Sequence, residues 1–370
     1  MALVELPPGE DVSAALAERV RAASASGTQL RIVGGDTKRF YGRAIRGEPL
    51  AVRDHHGVLR YDPAELVITA RAGTRLAEIE ALLARHGQRL PFEPPAFGAA
   101  ATIGGTIAAG LAGPARAARG PVRDCVLGVT LLAGDGRILR FGGEVMKNVA
   151  GYDVSRLVAG SLGILGVLLE VSLKVLPVPA GSLTVRRDVD AAAASERLAG
   201  ATQRGLPVSA SFWCDGELHV RLEGSAAGLA AIAPEFGGRS VAPDVAAAFW
   251  HQVREQQHPF FRASGPLWRL TVPVTATAAV MRHQSAAAFE WNGGQVWITG
   301  AARPAIEALA RTNGGDATLF RQLAGLAEPS DVAPEVFAPL PPALLELHRA
   351  VKRVFDPAGI LNPGRMYAGL

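Results

Sequence analysis

ATIGGTIAAGLAG at residues 101–113 and FGGEVMKNVAGYDVSRLVAGSLGILGVLLEVSLKVLP at residues 141–177 set a glycine density against otherwise good strand-forming sequence. Fifteen of the chain's 42 glycines fall between Gly98 and Gly166, so side chains are withheld over one long segment rather than at scattered turns. Bare backbone lets a ligand come close to amide groups, and it equally lets a helix and a strand pack tightly. The flanking sequence has to decide between the two.

Outward from this segment, the first 180 residues alternate short helices and strands. Asp11 sits where it can cap a helix carrying Val12, Ala15, Leu16 and Val20 on one side, with Gly27 as its stop. Residues 29–33 read as a buried strand that runs into Gly34-Gly35, and residues 66–70 as a second strand. Thr74 then opens a helix with Leu76, Ile79, Leu82 and Leu83 inside and Gly87 at its end. Residues 126–132 and 137–141 flank Gly134-Asp135-Gly136 as a hairpin, and residues 171–175 alternate as a half-buried strand. The Pro- and Gly-bearing stretch 176–182 marks a boundary.

Beyond it the pattern turns to antiparallel pieces. Residues 208–214 and 217–222 bracket Asp215-Gly216, and residues 288–291 and 295–299 bracket Asn292-Gly293; each hairpin is followed by a helical stretch, which reads as a repeated unit. Leu344, His348, Val351 and Phe355 keep helical spacing until Asp356-Pro357-Ala358-Gly359 breaks it. The expected class is α+β, with domains at 1–178 and 182–340, the latter an α+β cap with an antiparallel sheet, and a helix and tail at 341–370 that return to the first domain.

Composition excludes several functions. With 370 residues, 49% of them apolar and 19% charged, the chain buries a large core, and disorder is ruled out. The net charge of +4 comes from scattered basic residues with no basic run interleaved with aromatics, so no nucleic-acid partner is expected. Cys125 and Cys214 form no C-x-x-C, which fits a reducing compartment and neither a disulfide framework nor a zinc or iron–sulfur site. The acidic, proline-bearing N-terminus is no export signal, and the apolar stretches 96–113 and 157–169 are too glycine-rich or too short to span a bilayer. A cytoplasmic protein is expected, with any membrane association made through partners.

Three elements carry chemistry. Val33-Gly34-Gly35-Asp36-Thr37-Lys38, a strand ending in paired glycines and short polar residues, is either a nest of N–H groups for phosphate or an ordinary tight turn. Pro94-Pro95 followed by Thr102-Ile103-Gly104-Gly105-Thr106 reads as an extended entry, a loop and a short helix with two hydroxyl donors. Gly151-Tyr152-Asp153 through Gly160-Ser161-Leu162-Gly163-Ile164-Leu165-Gly166-Val167, with glycine at 160, 163 and 166, strips one edge before a strand, for a flat ring system or for close packing. No G-x-G-x-x-G follows a first strand and no G-x-x-x-x-G-K-[ST] occurs, so a Rossmann domain and a P-loop are disfavoured.

In this order GGDTKRFYGR, ATIGGTIAAG and GGEVMKNVAGYDVSRLVAGSLGILGVLLEVSLKVLP, with the closing FDPAGILNPG, resemble the FAD-linked oxidase family of the vanillyl-alcohol oxidase type, whose FAD-binding domain is the two-subdomain PCMH type. Within that family the likeness is to the FAD-binding subunits of bacterial glycolate oxidases. It is dense over residues 32–177, returns at residues 355–364, and is weak between. The resemblance implies that Val33, Gly34, Gly35, Asp36, Thr37 and Lys38 form the pyrophosphate loop. Pro95, Thr102, Gly104, Gly105 and Thr106 would form the second loop. Gly160, Ser161, Gly163, Gly166 and Val167 would lie near the adenine end, and Asn362 would return to the flavin-side cleft. Where relatives with covalent flavin carry histidine, this chain has Asp36, so non-covalent FAD is expected. Leu162 and Ile164 replace the Glu and Thr common in similar enzymes.

Catalytic relatives carry an H-x-G-D-G-N-x-H motif for metal and general base; this chain has none, and only His55-His56 among its histidines are adjacent. Neighbouring side chains on a strand point to opposite faces, so no metal is expected and no catalytic residue is assigned. Arg254, the stretch His258-Pro259-Phe260-Phe261-Arg262 and Trp268-Arg269 are either carboxylate-holding groups or surface arginines and core aromatics. The expected function is an FAD-binding subunit of a glycolate (2-hydroxy acid) oxidase or dehydrogenase complex, exchanging electrons with a catalytic flavoprotein subunit and an iron–sulfur subunit. The alternatives are a self-sufficient FAD oxidoreductase and an assembly subunit that has lost FAD.

Overall fold

The computed structural model describes residues 4, 6, 9–143, 153–282, 284, 286–322 and 335–370. The chain divides into two compact units, the first made of Met1–Leu111, Pro121–Pro177 and Ala327–Leu370, the second of Ala112–Gly120 and Val178–Leu326. Its first part runs α1 (Ser13–Ser26), β1 (Leu30–Val33), β2 (Glu48–Ala51), β3 (Val58–Asp62), β4 (Val67–Arg71), α2 (Leu76–Arg85), β5 (Gln88–Arg89), α3 (Ile103–Ala109), α4 (Arg116–Arg119), β6 (Val126–Leu132), β7 (Ile138–Gly142), α5 (Val154–Leu157), β8 (Val167–Lys174) and β9 (Leu176–Pro177). There follow β10 (Gly181–Asp188), α6 (Ala191–Gln203), β11 (Val208–Cys214), β12 (Glu217–Gly224), α7 (Ala226–Phe236), β13 (Arg239–Val241) and α8 (Pro243–Arg254). The chain closes with β14 (Leu267–Thr271), α9 (Thr277–Met281), β15 (Ala287–Glu290), β16 (Gln295–Thr299), α10 (Arg303–Thr312), β17 (Asp316–Arg321) and α11 (Pro342–Phe355). Mixed helix and antiparallel sheet is the class that the sequence pattern predicts. Among the described residues no helix is long and apolar enough to cross a membrane.

In the first unit a five-stranded sheet has the order β3-β4-β8-β6-β7 with every neighbour antiparallel. A separate parallel pair, β1-β2, carries the first glycine loop. The apolar stripe of α2 is buried at Leu76, Ile79, Leu82 and Leu83, as its spacing requires. Thr74 does not cap that helix: its hydroxyl donates to Arg71 O at 2.7 Å and accepts from Gly57 N at 2.9 Å, and Arg75 holds the cap position. Strand β8 is longer and more buried than alternation implies, because both faces are covered; Ser172 is 8% exposed and shares a 2.9 Å hydrogen bond with Thr69. On α11 the stripe that the spacing marks holds at Phe355, which is buried, and at His348 and Val351, which are half-buried, while Leu344 is exposed and Lys352 is buried as well.

The second unit is an eight-stranded sheet of order β13-β10-β12-β11-β15-β16-β14-β17. The two hairpins predicted from Asp215-Gly216 and Asn292-Gly293 are present, and the repeat is larger than a hairpin and helix. Each half runs β-α-β-β-α-β, and β11 meets β15 antiparallel at the centre. One face packs the core with Val220, Leu222, Leu270, Phe289, Val296 and Ile298 beneath the helices. Sequence alternation allows only one core face on β14, yet Leu267 is buried as well as Trp268 and Leu270. The second face is roofed by α8 and the turn after it, where Phe249 lies against His219 and Phe212, and Trp250 Nε1 donates to Thr184 Oγ1 at 2.9 Å.

Candidate functional site

Strand β1 ends at Val33, and the chain then turns through Gly34, Gly35 and Asp36, the last with φ of 55°. A left-handed residue after extended ones curls successive N–H groups toward one side. Among the described residues, the backbone N–H groups of Gly34, Gly35, Asp36 and Thr37 make no hydrogen bond to protein. Four consecutive donors without internal partners are uncommon, because an unpaired backbone donor costs free energy unless water or a ligand meets it. The side chains here hold the loop rather than reach outward: Thr37 Oγ1 and Lys38 Nζ both donate to Ala96 O, at 2.8 and 3.3 Å.

The second loop enters α3 through Thr102, whose Oγ1 accepts from Gly105 N at 3.3 Å as an N-cap. Gly104 N donates to Ala72 O at 2.8 Å, which ties the helix start to the end of β4. Thr106 is fully buried and its hydroxyl donates to Thr102 O at 2.9 Å. It is therefore engaged inside its own helix and is no donor to the cavity.

The glycines of these walls have a purpose that the sequence leaves open. A Cβ on Gly34 would strike the Thr102 hydroxyl, one on Gly35 would overlap the Ala100 backbone, one on Gly104 would come within 2.6 Å of Ala72 Cβ, and one on Gly166 within 2.7 Å of Leu131. At these four positions glycine serves contact between walls. At Gly105 only Thr102 Oγ1, at 3.3 Å, stands near the missing Cβ, and the residue is exposed. Of these five, it is the one where a Cβ would meet a single side-chain oxygen and no opposing wall.

Residues 160–168 form the third wall along α3, with Gly160 N donating to Ile107 O at 3.0 Å and Leu162 N to Ala108 O at 2.9 Å. Gly160 and Gly163 need their positive φ of 83° and 75°, and Leu162 adopts 53° without the freedom of glycine, which stores strain beside the cavity. Gly151 and Tyr152, which open the third motif, lie outside the described residues.

The C-terminal tail fastens the walls together. Leu361 pairs with Leu30 as a parallel bridge. Asn362 Oδ1 accepts from Ile32 N at 2.8 Å while its Nδ2 donates to Leu162 O at 2.7 Å, so one side chain joins β1 to the third wall. Lys352 Nζ donates to Ile164 O at 2.9 Å, Leu361 O at 3.0 Å and Asp356 Oδ2 at 2.8 Å, and Asp356 also accepts from Ile360 N and Leu361 N. Buried charges need this degree of pairing to be tolerated. Arg365 Nη1 donates to Arg43 O at 2.6 Å and its Nη2 to Tyr41 O and Arg39 O at 2.7 and 2.8 Å. Burial pushes its pKa down to about 10, which leaves it charged at neutral pH.

These walls enclose a cavity of about 870 Å³, part of it open to solvent, wholly within the first unit. From the sequence-predicted set it is lined by Gly34 to Lys38, by Thr102, Gly104 and Gly105, by Ser161, Gly163 and Gly166, and by Asn362. Val33, Pro95, Thr106, Gly160 and Val167 are not in its lining. Leu162, Arg39 and Arg365 are, and sequence reasoning did not place them there. The signal for Arg365 was its position directly after Asn362-Pro363-Gly364.

Other candidates resolve differently. His55 is buried, its Nδ1 accepts from Val12 N at 3.2 Å at the start of α1, and burial holds its pKa below the usual imidazole value, so it acts as a neutral cap. Among the described residues no three His, Cys, Asp or Glu side chains converge as metal ligands would. Arg254 Nε donates to Glu255 at 3.0 Å and Arg262 Nε to Gln257 O at 3.1 Å, while Phe261 and Trp268 are buried. The arginines are thus occupied and the aromatics belong to the packing.

Comparison with known proteins agrees with this geometry. Residues 11–142 match the FAD binding domain family and residues 333–366 the C-terminal domain of FAD linked oxidases. The chain is 46% identical over 361 residues to glycolate oxidase subunit GlcE of Escherichia coli (strain K12), covering 97% of this chain and 99% of that protein. Glycolate oxidase subunit GlcD of Bacillus subtilis (strain 168) is 32% identical over 150 residues, 40% of this chain and 32% of that one. A D-lactate dehydrogenase of Anaerostipes hadrus is 30% identical over 181 residues, 48% of this chain and 36% of that one. The fold resembles that of an alkyldihydroxyacetonephosphate synthase, with a TM-score of 0.66 at 15% identity over 94% of this chain and 74% of that one. A likeness to a GlcE subunit that runs nearly end to end, together with both matched domains, makes this chain a member of the FAD-linked oxidase family, an oxidoreductase whose cofactor is FAD.

Proposed function

We propose that the protein is the FAD-binding subunit of a glycolate or related 2-hydroxy acid oxidase complex. In this reading residues 1–178 with the tail 341–370 form the FAD-binding domain and residues 182–340 the cap. The flavin is held without a covalent bond and exchanges electrons with a catalytic flavoprotein subunit and an iron–sulfur subunit. The observation that carries it is the cavity whose rim presents four unpaired N–H groups, at Gly34, Gly35, Asp36 and Thr37. That donor set fits a diphosphate, since successive amides bind phosphate oxygens. Bound there, FAD supplies two-electron acceptance and one-electron release. The chain's own residues hold it: the 34–37 turn takes the phosphates, Gly105 gives open backbone for close approach, and Asn362 with Lys352 keeps the walls in register.

Non-covalent attachment follows from Asp36, which offers no imidazole nitrogen where covalent relatives have histidine. Dependence on a catalytic partner is supported by the cavity lining, in which Asp36 is, among the described residues, the only titratable acid or base besides lysine and arginine. That carboxylate is paired with Arg31 at 3.4 Å, poorly suited to take a hydroxyl proton. The glycolate substrate and the partner subunits rest on the GlcE and GlcD relatives. We place the protein in the cytoplasm, with membrane attachment, where present, made by its partners.

The test is a visible spectrum of the purified chain with added FAD, followed by anaerobic glycolate or D-lactate. Bound flavin should appear and stay oxidised until the partner subunits are added. Rapid bleaching of the lone chain would instead establish a self-sufficient enzyme, and no bound flavin would leave an assembly role.

A further inference from the structure

A second cavity of about 410 Å³ adjoins the first and shares Ile32, Asp36, Arg39, Asn362 and Arg365 with it. Its remaining charged residue is Arg31, so three guanidinium groups face one carboxylate. Arg31 is paired with that carboxylate at 3.4 Å. Arg365 is held by the carbonyls of residues 38–43, which fix its direction without cancelling its charge. The guanidinium of Arg39 has no hydrogen-bond or ion-pair partner among the described residues. A concave surface with uncompensated positive charge attracts an anion, and a guanidinium matches phosphate oxygens in pairs.

We infer that this cationic side cavity, through Arg39 backed by Arg365, grips the diphosphate of the dinucleotide as it lies on the 34–37 turn. The inference rests on the FAD reading above and departs from a purely backbone site. Asp36, in the turn itself, would repel a phosphate; Arg31 offsets it from one side and Arg39 supplies the net attraction. Arg39 lies two residues after Thr37, the last of the four unpaired donors, so the charge and the amides serve one group. Phosphate from a separate anion would meet the same chemistry, and the experiment separates the two sources.

Arg39→Gln is the informative change, because the side chain is exposed and bears no fold contact; Arg365→Gln would also release the 38–43 loop. FAD and riboflavin are titrated into the full-length FAD-free protein at two salt concentrations. Arg39→Gln should weaken FAD about tenfold and flatten its salt dependence, leave riboflavin affinity unchanged and leave the melting temperature of the FAD-free protein unchanged. Inorganic pyrophosphate should compete with FAD. Equal weakening of FAD and riboflavin, or an unchanged FAD affinity, overturns the inference. Pyrophosphate binding as tightly to the FAD-loaded as to the FAD-free protein also overturns it, since the side cavity would then hold a separate anion. Wild-type protein that binds no FAD defeats the functional reading itself, whereas wild-type binding with an indifferent Arg39→Gln defeats only this step.

Discussion

The two units bury polar groups to opposite ends. In the second unit the polar face of the eight-stranded sheet is closed over: Glu290 Oε1 accepts from Trp297 Nε1 at 2.5 Å and Gln295 Nε2 at 3.2 Å, and Arg221 Nε donates to Ser209 Oγ at 2.9 Å. Trp297 lies edge-on to Phe261 and Phe320, so aromatic rings complete that cover. In the first unit the side chains around the cavity are likewise engaged, at Thr37, Asn362 and Lys352, but a run of backbone donors is left facing the void. The second unit pairs its buried polar side chains mostly with one another, although isolated atoms such as Gln295 Oε1 and Asn292 Oδ1 find no partner among the described residues, whereas the first leaves consecutive backbone donors open on one cavity. Richness in buried polar groups does not mark a site; a converging run of open donors does.

The sharpest way to break this contrast is Gly35→Ala. Its Cβ would overlap the Ala100 carbonyl, and backbone on both sides has no flexible end to yield. The 33–37 and 98–102 segments must part, so stability should drop by about 3 kcal/mol or more and FAD binding should vanish. Flavin titration and thermal denaturation check both. Normal FAD affinity in this variant would show that contact between the walls does not shape the cavity.

Much of this was legible in the chain. The stripe of α2, both hairpin turns and the three glycine elements follow from local rules, because a turn residue or an apolar period acts within a few positions. The repeat was visible at its hairpins, where Asp215-Gly216 and Asn292-Gly293 mark corresponding points. What stayed hidden depends on distant partners. Nothing local in the sequence marks Lys352, whose place is set by the tail and Ile164 O around it, and Arg365 gains its role only from the carbonyls of residues 38–43. Thr106 looked like a donor because spacing cannot tell a hydroxyl turned to the helix from one turned to the cavity. The glycines themselves had two readings, and the wall contacts of Gly34, Gly35, Gly104 and Gly166 favour close packing at those positions.

The closed face of the second unit makes a prediction of its own. Burial pushes Glu290 up to about 7 and His219 down to about 4. A carboxyl raised in the fold stabilises most below its unfolded value of 4.5, and that contribution is lost as pH rises to about 7. A lowered imidazole does the reverse, contributing above 6.5 and losing its share as pH falls to about 4. The two slopes oppose each other from pH 4.5 to 6.5. Glu290→Gln removes one of them. Relative to this variant, wild-type stability should therefore fall by about 3 kcal/mol between pH 4.5 and 7. Tryptophan fluorescence isolates the effect, because Trp213, Trp250, Trp268, Trp291 and Trp297 all belong to the second unit. Parallel pH curves for the two proteins would mean that Glu290 is ionised within the closed face.

The smallest expected change is also the one that separates packing from ligand approach. Gly105 lies in the first turn of α3, exposed, with only its own cap oxygen, Thr102 Oγ1, near the missing Cβ. Alanine gains helix propensity and loses a few tenths of an ångström of room, so Gly105→Ala should keep its stability within about 1 kcal/mol of wild type. If open backbone at this point is there for the cofactor, a methyl group on the cavity side should still weaken FAD about tenfold. Gly35→Ala loses binding by moving the walls; Gly105→Ala should lose it with the walls in place. Unchanged FAD affinity together with an unchanged melting temperature would leave wall packing and positive φ as the reasons for glycine along these walls.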